Sequence, residues 1–335
     1  MIYLTLGIGL LVLVKGADAF VGAASKIAVF LNVPSFIVGI FIVAMGTSAP
    51  EAAIGVISGI QGNNIITLGD VVGSSIVNIL GIIGITAIIF PFKIESVLFK
   101  KEILISIFVQ VCLYIMIFTD NTLSRMEAVV LLVGLLLFFG YFYINFKNHS
   151  KKEKSVKVFA PEAFSFVETQ EELLHEKPSE NEGHIESMPK LLFFLFIGLA
   201  GLIGGASLAV NSAIQIAHNL GLSEAFIGVT IVALGTSLPE FSTCLVAVHK
   251  KEAAIAVGNI IGSNIFNVLF VLGMSGVLHP IEVTSDIILD LFVMIGASVL
   301  LFISIFFSGR ISRKTGFVYF SAYVIYLTIK LNSLG

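Results

Sequence analysis

Long apolar segments run through most of the sequence, and they constrain the fold more than any other feature. A helix needs about 20 apolar residues to cross about 30 Å of hydrocarbon. By that measure we expect ten membrane-spanning helices, at residues 2–30, 35–60, 64–90, 101–119, 125–146, 190–218, 224–249, 254–278, 285–308 and 314–332. Because a bilayer offers no hydrogen-bond partners to the backbone, these segments predict an all-α integral membrane protein.

The composition excludes several classes of protein. Hydrophobic residues make up 57% of the chain and charged residues only 12%, whereas soluble domains carry about 25% charged residues. An ordinary cytosolic enzyme is therefore excluded. The net charge is −3 and the sequence has no basic cluster on an otherwise polar surface, so no nucleic-acid partner is expected. Both cysteines, Cys112 and Cys244, lie inside apolar segments, which argues against a disulfide framework.

The charges of the connecting segments predict the orientation in a cell membrane. With the N-terminus outside, the lysines and arginines of the connections collect on the cytoplasmic side, and only Arg125 and Lys330 fall outside. Cytoplasmic loops carry such an excess of basic residues, so we expect both termini outside and a cytoplasmic, Glu- and Lys-rich loop at residues 148–189. The apolar segment near the N-terminus has no preceding basic residue, so it is predicted to be a span and not a cleaved signal peptide.

A repeated sequence divides the chain into two halves. The segment Gly46-Thr47-Ser48-Ala49-Pro50-Glu51 recurs as residues 235–240, and residues 69–78 recur as residues 258–267, both at an offset of 189. Each half holds five predicted spans. Because five is odd, the second half enters the membrane from the opposite side, which is the inverted-topology design of secondary transporters.

The repeat therefore predicts two inverted five-helix units. The first unit covers residues 1–147, with its motif at 44–84, and the second covers residues 190–335, with its motif at 233–273. The loop at 148–189 joins the two units.

The repeated motifs offer oxygen ligands in the middle of the membrane. Glu51 and Glu240 lie near the centres of their spans, where an ionised side chain needs a partner or water. Each follows a proline that cannot donate to the helix, so backbone carbonyls around residues 44–46 and 233–235 are expected to be freed. Carboxylate, hydroxyl, amide and carbonyl oxygens suit Ca²⁺ and Na⁺ much better than Zn²⁺ or Cu⁺.

The same motifs give little support to a catalytic function. Ser48 or Ser237 could act as a nucleophile only with a base, and no histidine lies in either motif. The six histidines are scattered over loops and span ends, so a histidine metal cluster is not expected. We predict that the protein is not an enzyme and that it holds no resident cofactor.

The paired Gly-Thr-Ser-x-Pro-Glu segments, each followed by Gly-[Asn/Asp]-x-x-Gly-Ser-x-x-x-Asn, resemble the α-repeats of the sodium/calcium exchanger family, within the cation/Ca²⁺ antiporter superfamily. The resemblance implies a ten-helix antiporter with four cation sites between spans 2, 3, 7 and 8, in which spans 1 and 6 slide to alternate access. The ligands it implies are Glu51, Glu240, Thr47, Ser48, Thr236, Ser237, the carbonyls of Ala44 and Ala233, Ser74, Ser263, Asn78 and Asn267.

The sequence departs from this family at two positions that matter for charge. Many members have an acid where this chain has Asn267, and Asp70 stands where the family usually has Asn, as at Asn259 of the second half. Asp70 lies eight residues from Asn78, about 12 Å along a helix, so it cannot simply replace the missing central acid. A cap or vestibule role for Asp70 is the alternative.

Several functions remain open on the sequence alone. The leading hypothesis is a Ca²⁺/Na⁺ antiporter working by alternating access, with the lipid bilayer as its surroundings and a single chain as the working unit. A proton-coupled Ca²⁺ exchanger is the nearest alternative, and a K⁺ requirement is also open. A passive cation channel and a transport-incompetent calcium sensor or scaffold are the alternatives from other classes.

Overall fold

A computed structural model of the protein is almost wholly helical. It describes residues 2–31, 33–62, 64–93, 96–118, 121–159, 187–219, 233–283 and 285–333. Among these residues seven helices are long and apolar enough to cross a bilayer, and the number is eight if a bent helix pair forms one span. The predicted span at 224–249 lies partly outside the described residues. The predicted span at 314–332 is helical but less apolar, because tyrosines and Lys330 interrupt it.

The first half of the chain forms six helices. They are α1 (Ile2–Leu31), α2 (Ser35–Thr47), α3 (Ala49–Gln61), α4 (Ile65–Ile76, continued by a π-helix at Val77–Ile83 and an α-helix at Gly84–Ile89), α5 (Ser96–Phe118) and α6 (Arg125–Phe159). Helix α6 runs past the predicted span end at residue 146, so residues 148–159 of the predicted loop are helical. Residues 160–186 of that loop lie outside the described residues.

The second half forms a matching series. It consists of α7 (Met188–Asn219), α8 (Ala233–Thr236), α9 (Leu238–His249), α10 (Ala253–Phe266, continued by a π-helix at Asn267–Leu272 and an α-helix at Gly273–Leu278), α11 (Ser285–Ser308) and α12 (Arg313–Ser333). The π-helices in α4 and α10 begin at positions related by the repeat offset to within one residue.

Burial distinguishes the central helices from the peripheral ones. Helix α10 is almost completely buried and α4 is mostly buried, whereas α1, α5, α6, α7 and α11 each bury only a minority of their residues. Their outer faces carry large apolar side chains such as Phe307 and Leu136, which are 78% and 68% exposed. Apolar outer faces of this kind fit a hydrocarbon surrounding, so the polar motifs of α4 and α10 lie at the centre of the bundle.

Helices α1 and α7 pack along each other at very short range. A Cβ added at Gly16 would lie 2.6 Å from the backbone nitrogen of Leu202, and one added at Gly198 would lie 2.6 Å from that of Phe20. A Cβ at Gly205 would overlap the backbone of Leu13. Glycine at these positions therefore sets the separation of the two helices, as small residues do between membrane helices.

Short strands and loop contacts bring the connections between the helices together in two groups. Strand β1 (Phe92–Lys93) pairs with β4 (Arg310–Ile311), and β2 (Thr122–Leu123) pairs with β3 (Ile281–Glu282), both antiparallel. The Asn64 side chain donates to the carbonyls of Ser275 and His279, which brings the α3–α4 connection to the β2–β3 pair. The ring of His249 lies 5.3 Å from that of Phe90, which brings the α9–α10 connection to the β1–β4 pair.

Candidate cation-binding site

Two helix breaks lie at the centre of the candidate site. Ser48 separates α2 from α3 with φ −82° and ψ 11°, and Ser237 separates α8 from α9 with φ −85° and ψ 4°. The axis bends by 49° at the first break. In each case a proline follows two residues later, so the chain cannot supply the N–H that would continue the preceding helix. The breaks place Glu51 and Glu240 in the first turns of α3 and α9.

The two glutamates converge in the interior of the bundle. Glu51 and Glu240 are each 1% exposed, and their carboxyl groups lie within electrostatic range of each other. The Ser48 hydroxyl donates to Glu240 Oε1 at 3.3 Å, and the Ser263 hydroxyl approaches the same oxygen at 3.5 Å. Neither carboxyl group points toward the lipid-facing surface.

Many oxygens around these glutamates lack a partner. Among the described residues, the following buried oxygens accept or donate no hydrogen bond: Glu51 Oε1 and Oε2, Glu240 Oε2, Ser237 Oγ, Asn78 Oδ1 and Asn267 Oδ1. A buried polar group without a partner costs about 1–3 kcal/mol, so a cluster of them in one place needs an explanation. A desolvated cation bound among them would supply it.

The two asparagines reach the site from the π-helices. Asn78 Nδ2 donates to Asn264 Oδ1 at 2.9 Å, and Asn267 Nδ2 donates to Ser74 Oγ at 3.3 Å. Each amide nitrogen thus makes a contact between α4 and α10, whereas each amide oxygen has no partner within the part of the chain that the structure describes. Single-turn π segments in α-helices frequently mark functional sites. From the start of these two segments the side chains no longer follow the spacing of a regular α-helix.

Two threonine pairs are related by the repeat offset. Thr47 Oγ1 donates to Asn259 Oδ1 at 3.0 Å, and Thr236 Oγ1 donates to Asp70 Oδ1 at 3.3 Å. Each pair joins a broken helix of one half to a continuous helix of the other half. The geometry is shared, but only one of the two acceptors is an acid.

The structure corrects the expectation about freed carbonyls at one position. The carbonyl of Ala44 accepts the backbone N–H of Ser48 at 2.9 Å, and the Thr47 hydroxyl approaches it at 3.4 Å. It is therefore paired, because the proline removes the usual helical donor of Gly46 and not that of Ala44, and the Gly46 carbonyl also accepts a backbone N–H at the helix cap. A carbonyl oxygen has two lone pairs, so this contact leaves Ala44 a possible second interaction. Ala233 begins α8, and its side chain lies outside the described part of the chain.

Asn264 belongs to this cluster, although the motif spacing did not single it out. Its amide orients Asn78 and also donates from Nδ2 to the Ser75 carbonyl at 3.3 Å. Ser75 is the residue that the repeat offset pairs with Asn264. This difference between the two halves, at an otherwise repeated position, is the feature of the sequence that could have pointed to Asn264.

A cavity leads to the cluster from one side. It measures about 450 Å³ and lies between α3, α7 and the break before α9, where Pro50, Ser207, Val210, Asn211, Thr236 and Pro239 line it. Thr236 thus borders both the cavity and the polar cluster. Thr236 in turn donates its hydroxyl hydrogen bond to Asp70.

Comparison with known proteins identifies relatives of this chain. The family model described as sodium/calcium exchanger protein matches residues 1–146 and 190–332. A sodium/calcium exchanger of Methanosarcina acetivorans is 34% identical over 98% of this chain and 97% of its own length. An inner membrane protein of Escherichia coli, YrbG, is 32% identical over 82% of this chain and 79% of its own.

A solved structure has the same architecture. The sodium-calcium exchanger NCX_Mj, in crystals soaked without Na⁺ and Ca²⁺, superposes with a TM-score of 0.77 at 28% identity, over 98% of this chain and 99% of that chain. These matches, together with the two broken helices and their buried glutamates, identify the family of the protein. The chain belongs to the sodium/calcium exchanger family of membrane ion transporters.

Proposed function

We propose that the protein is a secondary antiporter that exchanges Ca²⁺ for Na⁺ by alternating access. The observation that carries the proposal is the cluster of unpaired buried oxygens around Glu51 and Glu240. The names of the relatives from Methanosarcina acetivorans and of NCX_Mj support the choice of ions. The cluster is built within a single chain, which supports a monomer as the working unit.

The charge of the site supports exchange in place of simple binding. Two ionised glutamates carry a formal charge of −2, which one Ca²⁺ or two Na⁺ would neutralise. Both loads would compete for the same oxygens, so one must leave before the other binds. The proposed ligands are Glu51, Glu240, Thr47, Ser48, Thr236, Ser237, Ala44, Ala233, Ser74, Ser263, Asn78 and Asn267.

The proposal includes ten spans in two inverted units, with both termini outside. The offset-related helix breaks, π-helices and threonine pairs support it. The strand pairs support the alternation of direction. Lys93 and Arg310 of β1 and β4 fall on the predicted cytoplasmic side, while β2 and β3 fall on the predicted outer side.

Alternating access is supported by a difference between two offset-related regions. The cavity lies between α7 and α3, on the predicted outer side. In the related region α1 packs closely, with Phe20 only 1% exposed and its ring against Gly46 beside the first break. The position related to Phe20 is the much smaller Ala209. This difference supports a conformation that is open on the predicted outer side and closed on the predicted inner side.

Polar contacts also join two elements on the predicted cytoplasmic side. Lys250 Nζ lies 2.9 Å from Asp18 Oδ1, and the Ser25 hydroxyl donates to Glu252 Oε1 at 2.5 Å. These contacts join α1 to the connection between α9 and α10. These contacts would have to break if the closed side of the protein were to open.

Ion uptake into membrane vesicles tests the proposal. Sodium-loaded vesicles containing the protein should take up radiolabelled Ca²⁺ only while an outward Na⁺ gradient exists. Replacing the Na⁺ gradient by a pH gradient separates a proton-coupled exchanger from a sodium-coupled one. Uptake that needs no counter-ion gradient would favour a channel and overturn the proposal, and Ca²⁺ binding without any flux would favour a sensor.

A further inference from the structure

The pair Asp70–Thr236 differs in charge from its offset-related pair Asn259–Thr47, and it is less deeply buried. Thr236 donates to Asp70 Oδ1 at 3.3 Å, as Thr47 donates to Asn259 Oδ1 at 3.0 Å. In Asn259 the atom beside the acceptor is an amide nitrogen, whereas in Asp70 it is a second carboxylate oxygen. Asp70 Oδ2 is buried and has no hydrogen-bond partner among the described residues. A carboxyl group with one unpaired oxygen therefore stands where the second half has a neutral amide.

The depth of Asp70 places this charge on one side of the cluster. Asp70 lies five residues from the start of α4, about 8 Å along the helix, on the side of Asn64 and the β2–β3 pair. Asn259 lies six residues from the start of α10, on the side of Lys250 and the β1–β4 pair. The two positions thus flank the glutamates from opposite sides, and only the predicted outer one is charged.

Asp70 is also the hydrogen-bond partner of a residue in the cavity wall. Its partner Thr236 lines the cavity between α3 and α7. The Asp70 carboxyl group is within electrostatic range of both Glu51 and Glu240. A cation that enters from the cavity therefore meets Asp70 before or together with the central pair.

We propose that Asp70 sets the ion preference of the outer entrance, and that it favours a divalent cation over a monovalent one on that side only. The inference rests on the proposed exchange function. The interaction of a fixed charge with an ion is proportional to the charge of the ion, so one carboxylate stabilises Ca²⁺ twice as strongly as Na⁺. On a logarithmic scale the effect on Ca²⁺ affinity is twice the effect on Na⁺ affinity. The neutral Asn259 gives the inner entrance no such preference.

The variant Asp70→Asn tests the inference and restores the symmetry of the two pairs. We expect it to raise the outer KM for Ca²⁺ at least about tenfold and the outer apparent constant for Na⁺ at least about threefold, as one charge does at about 6 Å across a water-filled entrance with an effective dielectric constant of about 80. Both constants are measured in right-side-out vesicles. Inverted vesicles report the inner side, where the KM for Ca²⁺ should stay within about twofold of that of the unchanged protein.

Two further variants separate charge from structure. Asp70→Glu keeps the charge and should keep the outer preference for Ca²⁺, even if its longer side chain lowers the maximal rate. Asn259→Asp adds the missing charge to the inner pair and should lower the inner KM for Ca²⁺ while leaving the outer one unchanged.

Three results would count against the inference. An outer KM for Ca²⁺ that is unchanged in Asp70→Asn would overturn it, and so would equal shifts on both sides or equal shifts for Ca²⁺ and Na⁺. If the unchanged protein still exchanges Ca²⁺ for Na⁺, none of these three results contradicts the proposed function. Absence of sodium-dependent Ca²⁺ uptake by the unchanged protein would overturn both.

Discussion

The hydroxyl of Ser48 donates to Glu240 Oε1 at 3.3 Å, although 192 residues separate them in the chain. The reverse contact is not made, because Ser237 Oγ and both carboxylate oxygens of Glu51 have no partner among the described residues. The break in one half thus binds the acid of the other half, but only in one direction. Glu51 is left with the larger share of unused hydrogen-bonding capacity and is the stronger candidate for direct contact with a cation.

Neutralising either central glutamate should abolish exchange. Glu51→Gln and Glu240→Gln keep the shape of the side chain but reduce the site's charge to −1, which is too little to balance a desolvated Ca²⁺. We expect sodium-driven Ca²⁺ uptake in vesicles to fall at least about a hundredfold, which corresponds to a loss of about 2.8 kcal/mol in the free energy of Ca²⁺ binding. Glu282→Gln, on an exposed strand residue, is the matched control and should transport normally. Substantial uptake by both central variants would show that the site lies elsewhere.

Restoring an acid at position 267 should strengthen cation binding. Asn267 is 1% exposed and its Oδ1 has no partner among the described residues, so Asn267→Asp places a third charge at the centre without adding volume. Ser74, which now accepts from the amide, has a hydroxyl that can donate to the new carboxylate. Isothermal titration of the purified protein should show a Ca²⁺ dissociation constant lowered by about tenfold or more. An unchanged constant would remove Asn267 from the ligands.

The glycines between α1 and α7 should be sensitive to a single methyl group. Gly16→Ala and Gly205→Ala bring a Cβ into the backbone of the facing helix, which should destabilise the protein by about 1–3 kcal/mol. Gly204→Ala is the control, because a Cβ there meets nothing within 4 Å, and alanine improves helix propensity.

Thermal unfolding of these variants needs a suitable reporter. The protein has no tryptophan, but Cys244 is 1% exposed and becomes accessible on unfolding. A thiol-reactive dye in a Cys112→Ser background therefore follows the transition. If the Tm of Gly16→Ala and Gly205→Ala matched that of Gly204→Ala, the close helix contact would be wrong.

Cysteine labelling should distinguish the open side from the closed one. Val210 lines the cavity, whereas Val21, the residue related to it by the repeat offset, is fully buried. In a background without native cysteines, an impermeant thiol reagent added outside should modify Val210→Cys and leave Val21→Cys unmodified. Equal labelling of the two, or faster labelling of Val21→Cys, would contradict the proposed outward opening.

Much of the fold follows from residue patterns that are local in the chain. Apolar length predicts the helices, and Pro50 and Pro239 predict helix breaks, which the structure has two residues before each proline, at Ser48 and Ser237. The expectation that the Ala44 carbonyl would be freed from its helical hydrogen bond was wrong, since a proline removes only the donor of the carbonyl four residues before it. The helical extension of α6 to Phe159 was also not expected, because charged residues there favoured a loop.

The sequence by itself determined that the chain is a membrane protein with a duplicated, acid-bearing motif, because length, apolarity and an exact offset are properties of the linear order. Only the tertiary structure decided which oxygens are paired and which are left for an ion. Those pairings join helices about 190 residues apart, as between Asn78 and Asn264 or Thr236 and Asp70, and no spacing within one helix specifies them. The same packing decided that the two halves differ, with the cavity beside α7 and the closed contact beside α1.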